Sequence, residues 1–342
     1  MWFVYAMICF AAWGVADLFY KRGAVEKERY SHLKTTIIVG FVMGATAIIT
    51  IFVNWIEFNP VNLFIYFPVS AMYILSMTVG YFGLRYLEVS ISSPIQNASG
   101  AVSAILLMIV LRELPDIYTS VAIFVISLGV VLLGVFEHQK EVKYLQETDK
   151  KYKIGFIAFM MPIFYCIIDA LGTFLDGVYL DDFEKTPLVG VTEDNLENIA
   201  NISYQLTFLI VAIILAVYVY EIKHEKFELF SKKSGGIRGA QMSRLFAALF
   251  ETGGQFAYVY AMSRNGIAAA PVVASYCVMS LILGVLFLKE RLSFKQYIAI
   301  GLVIAGIITL GVLEGLSGAG EAAEEAAGEI AEIAALGSFP LC

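Results

Sequence analysis

Long apolar runs separated by short charged clusters set the rhythm of this chain. A hydrocarbon core about 30 Å thick takes roughly 20 helical residues to cross. Ten runs of about that length follow one another, at 2–20, 34–54, 62–84, 89–111, 117–136, 154–176, 200–221, 240–262, 267–288 and 295–314. The pattern predicts an all-α polytopic membrane protein of ten transmembrane helices. The first run lacks the basic n-region of a signal peptide and its apolar stretch continues to Tyr20, so it counts as a span.

The runs are written twice. Pro94 and Pro271 lie 177 residues apart, as do Glu113 and Glu290, Tyr81 and Tyr258, Ser103 and Ser280, Gly129 and Gly306, and the segments LGVFE from Leu133 and LGVLE from Leu310. Such a register of proline, charge pair, glycine and closing glutamate predicts two homologous halves of five spans. An odd number of spans per half sends the second copy into the membrane from the opposite face, so the halves are inverted repeats. In transporters built this way the substrate site lies near the midplane between the halves. The expected organisation is a first repeat over 1–137, a cytoplasmic linker over 138–153, a second repeat over 154–315 and an acidic tail over 316–342.

Composition agrees with a membrane solvent: 59% of the residues are hydrophobic, 15% are charged, and the mean hydropathy is +0.76. The distribution of charge says more than the net value of −7. Nineteen of the 23 basic residues fall in the segments joining spans 1–2, 3–4, 5–6, 7–8 and 9–10; Arg112, Lys185 and Arg264 lie on the other side and Arg244 just inside span 8. By the positive-inside rule the basic side is cytoplasmic and both termini are outside.

Cys9, Cys166 and Cys277 fall within spans and Cys342 is terminal, which gives no disulfide pattern. His32, His138 and His224 lie far apart in loops without ligand spacing, and KKSGGIRG lacks the strand that a phosphate-cradling loop requires. No metal, cofactor, nucleotide or nucleic-acid partner is indicated. No nucleophile–base constellation marks an enzyme.

Trp13 and Gly14 followed by Lys21, then five spans twice over, each half with a proline-led fourth helix ending in an RE or KER turn and a glycine-rich fifth helix, resemble the ten-helix EamA-type transporters of the drug/metabolite transporter superfamily, over roughly residues 1–315. The resemblance implies transport of small metabolites through a cavity surrounded by helices 1, 3, 4, 6, 8 and 9. It also implies cytoplasmic termini, where the charges of this chain argue the reverse.

Polar groups inside the hydrocarbon usually face a bundle interior or a water-filled cavity. Near mid-depth are Asp169, Glu251, Gln255, Gln96 and Asn97, with Asp17 closer to the cytoplasmic end. Glu251 and Gln255 share one helix face. No basic residue matches the depth of Asp169 or Glu251, so these two are the leading candidates for substrate binding or proton exchange. Asp17 either serves substrate or pairs with Lys21 one turn away; Gln96 and Asn97 either line the cavity or bond a neighbouring helix. Asp176 reads as a solvated helix end. On the helices named by the resemblance lie Trp13, Tyr73, Tyr81, Phe164, Tyr165, Tyr258 and Tyr276, with Tyr81 and Tyr258 related by the repeat.

Aromatic faces beside uncompensated carboxylates suit an organic cation. The expected function is secondary transport of a small cationic, amino-acid-like or aromatic amphiphilic metabolite across a prokaryotic cytoplasmic membrane, by alternating access, facilitative or proton-coupled. The alternative is a non-transporting subunit or scaffold of a larger complex, with the tail as its contact. The loop over 180–203 reads as a lid or an ordinary solvated loop and contains the sequon Asn201-Ile-Ser203. The tail, rich in alanine and glutamate, favours helix and either docks on the transporter or a protein partner or stays unstructured.

Overall fold

The computed structural model describes residues 2–25, 28–85, 89–147, 152–225, 239–289 and 291–336. Among the described residues twelve α-helices follow in order: α1 (Trp2–Gly23), α2 (Ser31–Val53), α3 (Val61–Ile65), α4 (Phe67–Gly83), α5 (Val89–Asn97), α6 (Ser99–Leu111), α7 (Ile117–Glu147), α8 (Tyr152–Leu180), α9 (Leu196–Ala216), α10 (Ala240–Ala274), α11 (Cys277–Leu283) and α12 (Phe294–Leu336). π-Helical turns extend α9 over Val217–Ile222 and α11 over Gly284–Leu288.

Eight helical stretches among the described residues are long and apolar enough to cross a membrane. Two more spans complete the ten. Phe67–Gly83 is apolar but shorter, and the stretch Ala240–Leu288, at 49 residues, is more than twice what one crossing needs. It divides at Asn265, whose backbone leaves the helical region (φ −163°, ψ 75°) and whose Oδ1 accepts the Ala268 amide at 3.1 Å. The side chain thus caps the helix that restarts behind it. Large apolar side chains such as Phe52, Phe64, Ile109, Phe124 and Leu286 are exposed, as faces turned toward lipid must be.

The inverted repeat is written into the backbone. The fourth span of each half breaks four residues beyond its proline, between α5 and α6 at Ala98 and between α10 and α11 at Ser275, positions again 177 apart. Each fourth span ends on a basic residue in the left-handed region, Arg112 (φ 58°) and Lys289 (φ 61°). The fifth spans, α7 and α12, meet reciprocally. A Cβ on Gly129 would strike the Val303 side chain and Ala299 O, and a Cβ on Gly306 would strike the Ile126 side chain and Ala122 O. Those partners are themselves repeat mates, so the contact has a local two-fold axis, and glycine is what lets the two backbones approach.

Some boundaries differ from the sequence expectation. Span 6 runs on to Leu180, one turn past its expected end, so Asp176 is buried rather than solvated. Asn201 lies inside α9 with no exposed surface, which removes the sequon from any glycosylating enzyme. Helix α7 continues to Glu147 and α8 begins at Tyr152, so much of the expected linker is helical; α12 continues unbroken to Leu336. The loop after α8 is anchored: Asn62 Nδ2 donates to Val189 O (2.9 Å), and the Val189 amide donates back to Asn62 Oδ1 (2.8 Å).

Candidate functional site

Helices α1, α4, α5, α6, α8 and α10 converge on one cavity between the two halves. Its walls carry Trp13, Asp17, Tyr20, Tyr73, Tyr81, Gln96, Asn97, Tyr165, Asp169, Thr173, Glu251, Gln255, Tyr258 and Tyr276. All nine candidate residues of the sequence analysis are therefore brought together. Phe164 is not among them: it is 47% exposed on the outer surface, while its neighbour Tyr165 faces inward.

The first helix of each half presents the same pair, an aromatic and, one turn on, an acid: Trp13 and Asp17 on α1, Tyr165 and Asp169 on α8. Each aromatic lies against a glycine of the other half. A Cβ on Gly254 would come within 2.3 Å of Trp13 Cδ1, and one on Gly80 within 2.8 Å of Tyr165 Cδ2. Each acid is gripped by serine hydroxyls. Ser93 and Ser280 both donate to Asp17 Oδ2 at 2.7 Å, and Ser99 donates to Asp169 Oδ2 at 2.7 Å with Ser76 on Oδ1 at 3.4 Å. Hydroxyls orient these carboxylates without cancelling their charge.

Trp13 stacks on Tyr258 (centroids 5.2 Å apart, planes at 26°), meets Tyr276 edge-on and donates from Nε1 to Glu251 O at 3.2 Å. Tyr81 leans on Tyr20 toward one end of the cavity, and Tyr258 meets Tyr73 toward the other, as inversion of the repeat requires. Asn97 is occupied within its own helix, donating to Ser93 O and Oγ. By contrast Gln96 Nε2 and the Tyr20 and Tyr81 hydroxyls are buried without a protein partner. No lysine, arginine or histidine lines the cavity among the described residues.

Both ends are closed by bonds between the halves. At the face where α1 ends, here the basic face, Lys34 Nζ bonds Glu28 (2.7 Å) and Glu225 (3.0 Å). Arg244, which has no exposed surface, bonds Glu28 at 2.5 Å, Ser31 Oγ at 2.7 Å, Gln241 Oε1 at 2.8 Å and Gly23 O at 3.0 Å. Burial pushes the Glu28 carboxyl up, and the Arg244 guanidinium with the Lys34 ammonium outweighs it, leaving the group below the ordinary glutamate value. At the opposite, terminal face, where α1 begins, the Tyr66 hydroxyl donates to Asp176 Oδ1. One layer deeper, the Tyr73 hydroxyl lies 2.5 Å from that of Tyr258 and donates to Thr173 Oγ1 at 3.2 Å.

Sequence reasoning missed Asp176 and the gripping serines, and placed Arg244 apart from the other basic residues. Ser280 was marked in the sequence only as the repeat mate of Ser103, and Ser76, Ser93 and Ser99 carry no signal beyond lying on polar positions of apolar helices. Arg244 was findable as one basic residue displaced a turn into its span.

Comparison with known proteins bears on the whole assembly. A solved crystal structure, described only as that of a protein, matches with a TM-score of 0.61 over 91% of this chain and 96% of its own, at 11% identity, which speaks for the fold alone. No curated protein matches the chain. The model of the EamA-like transporter family matches residues 1–135 and 194–312, the greater part of the sequence, with α8 lying between the two matched segments. The chain is a multi-pass membrane transporter and not an enzyme: it belongs to the EamA-like transporter family.

Proposed function

We propose that the protein carries a small organic metabolite bearing a cationic centre and an apolar or aromatic body, amino-acid-like compounds and aromatic amphiphiles included, by alternating access. One observation carries this reading: Asp17, Asp169 and Glu251 share a cavity walled by aromatic rings with no basic residue on its lining among the described residues. An ion pair with a carboxylate and cation–π contact with Trp13, Tyr258 or Tyr276 would each favour a desolvated cation. Gln96, Tyr20 and Tyr81 offer the unpartnered hydrogen-bonding atoms that would orient the rest of the ligand.

Glu251 exchanges a proton for the cationic group, so that substrate and proton compete for one carboxylate. The two halves, 1–137 and 154–315, rock against each other and open the two closures in turn. The crowding of basic residues on one face supports a cytoplasmic assignment for that face of a prokaryotic inner membrane, with both termini outside. Purified protein melted against a panel of organic cations, zwitterions and anions tests the reading, because a ligand that binds the folded state alone raises apparent stability. Cations and zwitterions are expected to stabilise the wild type and not Glu251→Gln; stabilisation by anions alone would refute the assignment.

A further inference from the structure

Asp176, the acceptor at the terminal-face closure, belongs neither to the cavity lining nor to the ionic closure of the basic face. It has no exposed surface, it is not part of the cavity wall, and none of the ion pairs among the described residues includes it. Its Oδ1 accepts from the Tyr66 hydroxyl, whereas its Oδ2 is buried without a partner. The titratable groups facing it are hydroxyls. Tyr66 and Tyr73 come from the α4 side and Tyr258 from α10; Tyr204 of α9 acts at longer range, and Asp169 lies two turns back on α8 itself. Helices α5 and α6, also packed on α8, carry no titratable side chain. A carboxylate so placed lacks the compensation that a buried charge ordinarily needs.

We propose that Asp176 is a proton-binding site separate from the cavity carboxylates, and that its charge state decides whether the terminal-face closure holds. The inference rests on the transporter reading above, to which it adds a site. Ionised Asp176 receives a charge-assisted bond from Tyr66, which ties the second half to the first. When a proton from the terminal face settles on Oδ2, the one oxygen with no partner, that bond becomes an ordinary neutral one and the tie weakens. Loss of the same proton restores it. Thr173, one turn before Asp176, and its bonded neighbours Tyr73 and Tyr258 line the cavity, so the site abuts the chamber whose exit it controls.

The test needs no substrate. Spin labels on Phe64→Cys of α3 and Glu184→Cys beyond α8, both exposed positions on opposite halves, report the width of the terminal face in a chain with Cys166 and Cys342 replaced. Infrared difference spectra across the same pH step report carboxyl protonation directly. Acidification is expected to lengthen the label distance in the wild type. Asp176→Asn, a neutral isostere that still accepts from Tyr66, is expected to give the longer distance at every pH and to lose one protonated-carboxyl band. Tyr66→Phe, which removes the donor and keeps the acid, is expected to retain the band and lose the pH response of the distance. An Asp176→Asn protein that narrows and widens with pH as the wild type does, or an unchanged carboxyl spectrum, would overturn the proposal. A failed ligand panel with these results intact would instead remove the substrate reading alone.

Discussion

The two ends of the cavity are closed by opposite chemistries. At the basic face Arg244 and Lys34 meet Glu28 and Glu225, so the charges neutralise one another inside the protein. At the terminal face one carboxylate meets hydroxyls, and its charge is left for something mobile to cancel. A closure that supplies its own counter-charges is insensitive to the solution until one of its members is removed. A closure held by a single acid responds to the solution itself. Asymmetry of this kind, on a frame that is symmetric in its helices, lets each end answer to a different signal.

Removing a member of the ionic closure should give the largest effect. Arg244→Met leaves Glu28 partly buried with Lys34 alone, and breaking a buried pair costs about 3 kcal/mol at the lower end of the usual range. Thermal unfolding of the purified protein should show that loss. Asp176→Asn, which keeps an acceptor for Tyr66, should change the same melt by less than about 1 kcal/mol; equal losses would erase the contrast between the two ends.

A smaller effect is expected where the closures share a wall. Gly254→Ala forces a methyl into the Trp13 ring, which leans on Tyr258, and overpacking of this kind costs about 1–3 kcal/mol. It should also weaken ligand binding, since the indole is displaced. Gly253→Ala, on the next residue but facing open space, should instead be neutral or stabilising by up to about 1 kcal/mol through helix propensity. Comparable melts for the two alanine variants would show that the indole is free to move.

Next comes pH. Because Glu28 is held below its ordinary value, its contribution is fully present above the unfolded-state glutamate value of about 4.3 and is lost as pH falls through the folded-state value. The stability difference between wild type and Glu28→Gln should therefore be flat through neutrality and vanish only in acid. A difference that faded near neutrality would mean that the ionic closure, too, is pH-sensitive in the working range.

The smallest effect should come from the paired left-handed residues. Arg112→Gly and Lys289→Gly each relieve roughly 1 kcal/mol of backbone strain and each lose a favourable charge at a helix C-terminus, so the net change should be under about 1 kcal/mol and alike in the two. Melts that differ by more would show that the two halves have diverged at their turns.

Much of this was legible in the sequence because the relevant signals are local or repeated. Apolar run lengths set the ten spans, and a constant offset of 177 linked Pro94 to Pro271 and Gly129 to Gly306 before any contact was known. Depth within a span located Asp169, Glu251, Gln255, Gln96 and Asn97, since hydrocarbon leaves a mid-depth polar group few other places to point, whereas Asp17 was placed nearer the cytoplasmic end and Trp13, Tyr81 and Tyr258 followed from the family resemblance and the repeat. Asp176 escaped because span ends are soft: α8 runs one turn further than its hydropathy, and the hydroxyl that bonds Asp176 lies 110 residues away, at the break between α3 and α4. Phe164 and Tyr165 differ by one helical step, which decides between lipid and cavity, and the span is apolar on both sides. Asn97 was an open choice between the cavity and a neighbouring helix; it lines the cavity yet donates to Ser93 of its own helix, a course that nothing in a sequence signals.

The left-handed turns at Arg112 and Lys289 also bear on how the chain enters its membrane. Inversion places equivalent turns on opposite faces, so whichever face is cytoplasmic, one of the two basic residues must be carried across the bilayer during synthesis. A duplicated gene thus hands the insertion machinery two contradictory topogenic instructions of equal strength. The other basic residues break that tie, for 18 of the remaining 21 lie on the Lys289 side by sequence, and the burial of Arg244 against Gly23 and Glu28 adds a nineteenth. Orientation is therefore a property of the loops, held in excess over a fold that by itself has no preferred way up.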